Sequence, residues 1–182
     1  MVMRKAFTIL LIIVSTAIMA QNEGMVLSGN VEEGTVRALQ TQHIRDRFYS
    51  LEGVEIVAIR NGLVAKRMTT DSSGFYRLQL DPSGVYEITF SKIGYLDKIV
   101  IVDGSKFPNV SKGAIMLNSD IALFRDLGHE KLREYAGLPF AKCKYSKGRK
   151  EFQWDQMYSV SAREHFYDLL EEATIASLGK EK

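Results

Sequence analysis

The stretch TDSSGFYRLQLDPSGVYEITFSKIGYLDKIVIV, residues 70–102, decides the fold class. Each of two turn sequences, DSSG at 71–74 and DPSG at 81–84, precedes a run in which apolar and polar residues alternate. The apolar positions of the two runs are Tyr76, Leu78, Leu80, Tyr86, Ile88 and Phe90. A period of two gives a strand one buried and one solvated face, which is typical of antiparallel sheets. The stretch therefore predicts an antiparallel β structure.

Further strands are predicted on both sides of this stretch. Asn61 and Gly62 both tolerate positive φ, so they predict a tight hairpin turn between strands at 54–60 and 63–70. The other predicted strands cover residues 25–31, 95–102 and 114–124, and the apolar run at 99–102 suits a central strand buried on both faces. At least seven strands joined by Gly-rich turns predict a two-sheet sandwich. Residues 32–50 predict a long polar loop with one helical turn around 39–47.

The character of the chain changes after residue 125. A short helix is predicted at 126–135, ended by Gly137 and Pro139, and then a hairpin whose strands are 140–145 and 151–154. Ser161 and Glu164 have the spacing of a capping box that opens a final helix. Its apolar stripe consists of Ala162, Phe166, Leu169, Ala173 and Ala176. We predict an all-β sandwich at 21–125 and an α/β extension at 126–182 that ends in an amphipathic helix.

The N-terminus predicts export. Arg4 and Lys5 precede an apolar run at 6–18, and the small residue Ala20 precedes Gln21, as in a secretory signal peptide of residues 1–20. The alternative is an uncleaved N-terminal anchor. Loss of the two basic residues would cancel the formal charge of +2, so charge gives no reason to expect a nucleic-acid partner. We expect a periplasmic or surface location, with outer-membrane association left open, and no membrane span after cleavage.

The predicted sandwich contains the motifs LEGV at 51–54 and TDSSGFY at 70–76, followed by Tyr86 and the GY pair at 94–95. In these residues the sandwich segment resembles the carboxypeptidase regulatory-like, or transthyretin-like, domain. This resemblance implies a seven-stranded prealbumin-like (Ig-like) β-sandwich that serves as a non-catalytic appendage of exported peptidases, outer-membrane receptors and surface proteins. With LPFAK at 138–142 and the aromatic residues that follow, the chain is also similar to exported Bacteroidetes proteins, most of them of unknown function.

Sequence motifs of catalysis are missing from the chain. Its three histidines, His43, His129 and His165, form no HExxH motif, and there is neither a GxSxG elbow nor a Gly-rich phosphate loop. The C-terminal Tyr-Arg-Gly-Ser of the transthyretin-like hydrolase of 5-hydroxyisourate is also absent. One cysteine, Cys143, excludes an internal disulfide. We therefore assign no catalytic, cofactor-binding or metal-binding residue and predict that the protein is not an enzyme.

The predicted hairpin carries the candidate residues for contact with a ligand or a partner. Basic and aromatic residues alternate in this hairpin. Such a combination can bind glycans or anionic polymers. The residues are Tyr145, Phe152, Trp154, Lys144 and Arg149. The alternative is a solvated hairpin whose aromatic residues pack on the sandwich, and a solvent-facing, stacked Trp154 would distinguish a binding platform from packing. The final helix likewise docks on its own domain or on a partner protein.

Two functions follow from these observations. The leading hypothesis is a non-enzymatic, exported interaction module of the cell envelope that binds another envelope protein through sheet edges or the C-terminal tail. The alternative is a carbohydrate- or peptidoglycan-binding module that uses the aromatic and basic segment 140–158.

Overall fold

The computed structural model describes residues 24–35, 49–108 and 114–178. The predicted signal peptide and the predicted helical turn around 39–47 lie outside these residues. The strands are β1 (Met25–Glu33), β2 (Tyr49–Ser50), β3 (Glu55–Arg60), β4 (Leu63–Thr69), β5 (Phe75–Leu80), β6 (Val85–Ser91), β7 (Lys98–Asp103), β8 (Ile115–Asn118), β9 (Ile121–Leu123), β10 (Pro139–Ser146) and β11 (Glu151–Trp154). The helices are α1 (Glu130–Ala136) and α2 (Gln156–Leu178).

The strands form two sheets. In one, β1 pairs antiparallel with β2 and β5 and parallel with β8 and β9. The other has the order β11-β10-β7-β6-β3-β4, in which β10 runs parallel to β7 and the other pairs are antiparallel. The β-sandwich prediction is therefore confirmed at this level, and the C-terminal segment contributes two strands to the second sheet.

The count of seven strands that the resemblance implies is not confirmed, since eleven strands occur within the described ranges. The predicted strand at 114–124 divides into β8 and β9 because Ser119 and Asp120 interrupt it. Residues 49–50, which we predicted as loop, pair with the end of β1. The C-terminal hairpin extends the second sheet instead of standing apart from it.

Alternation correctly identifies the buried faces of β5 and β6. Tyr76 and Phe90 meet between the sheets with ring centroids 5.2 Å apart. Around them lies the sandwich core, which includes Leu27, Val31, Ile56, Leu78, Ile88, Val100, Val102 and Leu123. The predicted hairpin turn is also present, with φ of 53° at Asn61 and 76° at Gly62, values that Asn and Gly adopt readily.

A second apolar cluster joins both helices to the sandwich. We name it the helix cluster, and it comprises Leu96, Phe124, Leu132, Ala136, Phe166, Leu170 and Ala173. The final helix begins at Gln156 and not at Ser161, because the Asp155 side chain accepts a hydrogen bond from the Tyr158 N–H and caps the helix earlier. Ala176 is exposed, and Leu170 occupies the buried stripe instead. Similarly, α1 begins at Glu130 because His129 provides its N-cap.

Within the described ranges, neither helix combines the length and the apolar character that crossing a bilayer requires.

Candidate functional site

Two of the predicted contact residues pack against each other on one face of the hairpin. Tyr145 and Phe152 lie directly opposite each other on β10 and β11, with ring centroids 5.4 Å apart. Phe107, from the segment after β7, completes a three-ring cluster at 5.0 Å from Tyr145 and 6.0 Å from Phe152. Only 8% of Tyr145 is exposed. Both rings therefore hold the hairpin to the sandwich.

The two predicted basic residues are exposed beside β11. Lys144 and Arg149 border a surface concavity of about 550 Å³, which is also lined by Phe152, Trp154 and Met157. We name it the edge concavity, because β11 is the terminal strand of its sheet. It brings four of the five predicted residues together. Tyr145 lies elsewhere, near Lys106 and Lys147.

Trp154 lies at the boundary between the edge concavity and a second depression. It is opposite Cys143 in the hairpin and packs partly buried against the sandwich core. It also lines a groove of about 350 Å³, which we name the junction groove. The groove is bounded by the β8–β9 loop at Ser119 and Asp120, by Phe140 of β10, and by Gln156 and Arg163 of α2.

The junction groove has no counterpart among the sites that the sequence predicts. Asp120, Phe140 and Arg163 come from three elements that are distant along the chain, and only the parallel pairing of β10 with β7 and the docking of α2 bring them together. No local spacing indicates such a site. The only available signal was Trp154 itself, since a partly exposed tryptophan commonly contacts ligands.

Hydrogen bonds hold both walls of the junction groove. On one wall, the Tyr76 hydroxyl donates to the Ser119 carbonyl at 2.6 Å, and the Asn30 N–H donates to Asp120 Oδ1 at 2.9 Å. On the other, the Tyr158 hydroxyl donates to the Pro139 carbonyl at 2.7 Å and attaches the start of α2 to β10. The groove is thus preformed, which lowers the cost of ordering it around a ligand.

Two of the three polar side chains that α2 contributes to the groove have no protein partner among the described residues, whereas the third, Ser159, donates its hydroxyl to the Asp155 carbonyl at 2.8 Å. Among the described residues, neither Gln156 nor Arg163 has a side-chain hydrogen bond or an ion pair. Arg163 is exposed at the rim. These groups therefore remain able to bind a ligand.

Lys98 lies next to the groove in an unusual environment. It is only 3% exposed, and its Nζ lies 3.2 Å from the ring centroid of Phe140 and 4.0 Å from that of Phe166. Phe124 provides a third ring at 5.4 Å. No carboxylate of the described residues pairs with the amine. Burial, together with the nearby charge of Arg163, lowers the pKa of Lys98 well below its usual value.

Cys143 lies in surroundings that disfavour a reactive thiolate. Cys143 is buried, and burial raises the pKa of its thiol to about 12, so the reactive thiolate is scarce at neutral pH. In the part of the chain that the structure describes, no group of three His, Cys, Asp or Glu side chains is arranged to hold a metal ion.

Comparison with known proteins gives no family assignment. No protein-family model matches the chain, and no curated protein matches it. Among solved structures, the chain is similar to the pilus 2b backbone protein of group B streptococcus, with 15% identity, a TM-score of 0.34, and 55% of this chain and 40% of that chain covered. The minor pilin of Streptococcus agalactiae gives 20% identity, a TM-score of 0.35 and coverages of 56% and 44%.

The plantain pollen allergen Pla l 1 gives 17% identity and a TM-score of 0.36, with 57% of this chain and 94% of that chain covered. The chain spans less than half the length of each of the two pilus proteins that it matches.

Proposed function

We propose that this protein is a non-enzymatic, exported interaction module that binds a partner protein along the outer edge of β11. The observation that carries the proposal is the position of this strand. β11 terminates the six-stranded sheet, pairs only with β10 among the described strands, and borders the edge concavity. Met157, which is 87% exposed, adds an apolar contact beside that edge.

An unpaired edge offers backbone N–H and C=O groups to an added strand. In an antiparallel pair, alternate residues direct these groups away from the neighbouring strand. The Asp155 N–H donates to the Lys142 carbonyl, so by alternation the backbone groups of Phe152 and Trp154 are the outward ones. A partner segment in extended conformation would bind them, with Lys144 and Arg149 as its charged neighbours.

The opposite edge of the same sheet is less suited to pairing. β4 carries Lys66 and Arg67 in its middle, and charged side chains on an edge strand discourage the addition of a further strand. Arg67 is held by Glu55 at 2.7 Å on the neighbouring strand. β11 has neither Lys nor Arg between residues 151 and 154.

Membership of the carboxypeptidase regulatory-like group, and a periplasmic or surface location in a Bacteroidetes-type envelope, complete the proposal. The local bonding of the matching motifs supports it. The Thr70 hydroxyl donates to the Leu51 carbonyl at 2.6 Å and accepts from the Val54 N–H at 2.9 Å, which ties TDSSGFY to LEGV. Asp71 then accepts from the N–H groups of Ser73 and Phe75. The matching residues therefore belong to one hydrogen-bonded network that holds the two motifs together.

Site-specific photo-crosslinking tests the β11 edge. A benzophenone amino acid replaces Met157 in the full chain, and the matched control replaces Val64, a half-exposed residue of β4. We expect a discrete protein adduct in envelope preparations from position 157 only. Amide exchange of Phe152 and Trp154 should then slow in the isolated complex. An adduct from position 64 alone, or unchanged exchange of both amides, would contradict binding at β11.

A glycan-binding function is the second candidate, and Trp154 in the junction groove is the observation that favours it. An indole face combined with polar side chains is a common arrangement for holding a sugar ring. Retention of the full chain on insoluble peptidoglycan, compared with that of Trp154→Ala, tests this function. Equal retention of the two proteins would exclude Trp154 as the contact, provided that both remain folded by circular dichroism.

A further inference from the structure

We infer that the junction groove binds a saccharide that carries a carboxylate, with the sugar ring against Trp154 and the carboxylate on Arg163. This inference rests on the glycan-binding function proposed as the second candidate. It adds a requirement for a negative charge on the ligand and assigns the recognition of that charge to Arg163, which lies outside the aromatic and basic segment 140–158.

The dimensions and lining of the groove fit a small saccharide. Its volume of about 350 Å³ is at the lower end of the range for small-molecule sites, enough for one or two sugar rings. Trp154 and Phe140 supply aromatic surface for the apolar face of a ring. Gln156 and Asp120 supply a donor and an acceptor for hydroxyl groups.

The two walls of the groove differ in charge. On the α2 side, Arg163 lacks a carboxylate partner among the described residues, and its charge adds to the effect of burial in lowering the pKa of the nearby Lys98 amine. On the opposite side, Asp120 lies near Glu32, and burial together with the negative charge of Asp120 raises the pKa of that carboxyl. One wall is therefore positive and the other negative, which orients a ligand that carries a single charge.

A carboxylate on the ligand would satisfy the positive wall. The guanidinium of Arg163 can donate two parallel hydrogen bonds to it, a geometry that an uncharged hydroxyl cannot match. Asp120 repels the same carboxylate, so the acidic end of the sugar lies at α2 and its hydroxyl groups lie at the β8–β9 loop. A neutral sugar leaves Arg163 unpaired and is expected to bind roughly tenfold more weakly.

Trp154 is the only tryptophan of the chain, so its fluorescence reports the groove directly. The full chain is titrated with two matched pairs of sugars, N-acetylmuramic acid against N-acetylglucosamine and glucuronic acid against glucose. In each pair the acidic member carries the carboxylate. We expect the acidic members to bind roughly tenfold more tightly at low salt. Arg163→Gln should reduce their affinity to that of the neutral members, while the control Arg77→Gln, at an exposed residue of β5 outside the groove, retains the preference.

The outcomes separate this inference from the function on which it rests. Equal affinity within both pairs, or a preference that survives in Arg163→Gln, overturns the carboxylate requirement and leaves glycan binding intact. If no sugar changes the fluorescence or the amide spectrum, both the inference and the glycan function fail. Because Arg163 is exposed, the thermal midpoint of its variant should equal that of the wild type, so a loss of binding is not a loss of folding.

Discussion

The sandwich core and the helix cluster differ in whether a basic side chain is buried among their apolar residues. Between the sheets, the core consists of apolar residues with interlocking rings such as Tyr76 and Phe90. The helix cluster instead surrounds the amine of Lys98 with the rings of Phe124, Phe140 and Phe166. Lys98 shares a strand face with Val100 and Val102, so one face of β7 serves both regions. The alternating pattern of a strand therefore determines which side chains are buried. The segments that pack on the strand determine the surroundings of each buried side chain.

Truncation of Phe90 should have the largest effect, because its ring fills the space between the sheets. We expect Phe90→Ala to lower the free energy of unfolding by about 4 kcal/mol and to destabilise the whole molecule. The control is Phe75→Ala, at a residue that is 40% exposed on the solvent-facing side of β5. This substitution should change stability by less than about 0.5 kcal/mol. Urea denaturation measures both. A loss below 1 kcal/mol for Phe90→Ala would show that the two sheets are not held together there.

Truncation of Phe166 should affect mainly the helix cluster. Its ring is 1% exposed and lies 5.5 Å from Phe124 and 6.0 Å from Phe140. We expect Phe166→Ala to cost about 3 kcal/mol and to speed amide exchange in α2 while exchange in β5 and β6 stays slow. Ile175→Ala, at an exposed position of the same helix, is the control. If the strands lose protection together with the helix, the two regions form one cooperative unit and the comparison between them fails.

Replacing Lys98 with an apolar residue should stabilise the protein. Lys98→Met removes a buried amine that no carboxylate of the described residues pairs with, and it keeps the length of the side chain, so we expect a gain of about 1–2 kcal/mol at neutral pH. The control is Lys144→Met, at an exposed residue of β10, which should change stability by less than about 0.5 kcal/mol. A loss of stability on Lys98→Met would mean that the three aromatic rings stabilise the cation more than burial disfavours it.

The same amine should make stability depend on pH. Burial and the charge of Arg163 lower the pKa of Lys98 in the folded state, whereas an unfolded lysine has a pKa of about 10.4. Between these two values the unfolded chain binds more protons, so the free energy of unfolding rises with pH across that interval. Denaturation of the wild type and Lys98→Met at several pH values measures the difference between them. A difference that stays constant up to pH 10 would contradict the lowered pKa.

The strands of the sandwich were predictable because their signal is local. The alternation at Tyr76, Leu78 and Leu80 and the turn at Asn61 and Gly62 each depend on a few neighbouring residues. The parallel pairing of β10 with β7 was not predictable, since it joins residues about 40 positions apart and no periodicity encodes the register. For that reason, we predicted the hairpin as part of a C-terminal extension and not as part of the sandwich.

A similar physical reason limits how much of the candidate site the sequence can predict. Strand alternation places Tyr145 and Lys144 on opposite faces of β10, so neighbours in sequence do not form one surface. Phe152 is used in packing against Tyr145. Trp154 lines the groove, but its polar neighbours Asp120 and Arg163 depend on tertiary pairing and not on spacing. A single sequence therefore identifies the aromatic contact without its charged partners.

The start of α2 should give the smallest effect and tests how the helix cluster is assembled. Asp155 accepts from the Tyr158 N–H at 3.1 Å, so Asp155→Ala should lower the free energy of unfolding by about 1 kcal/mol. Asp155→Asn is the matched control, because an asparagine oxygen still caps a helix, and it should retain most of the stability. Thermal denaturation combined with amide exchange at Tyr158 measures both variants. Equal losses would show that the negative charge at the N-terminus of α2, and not the capping hydrogen bond, stabilises its first turn.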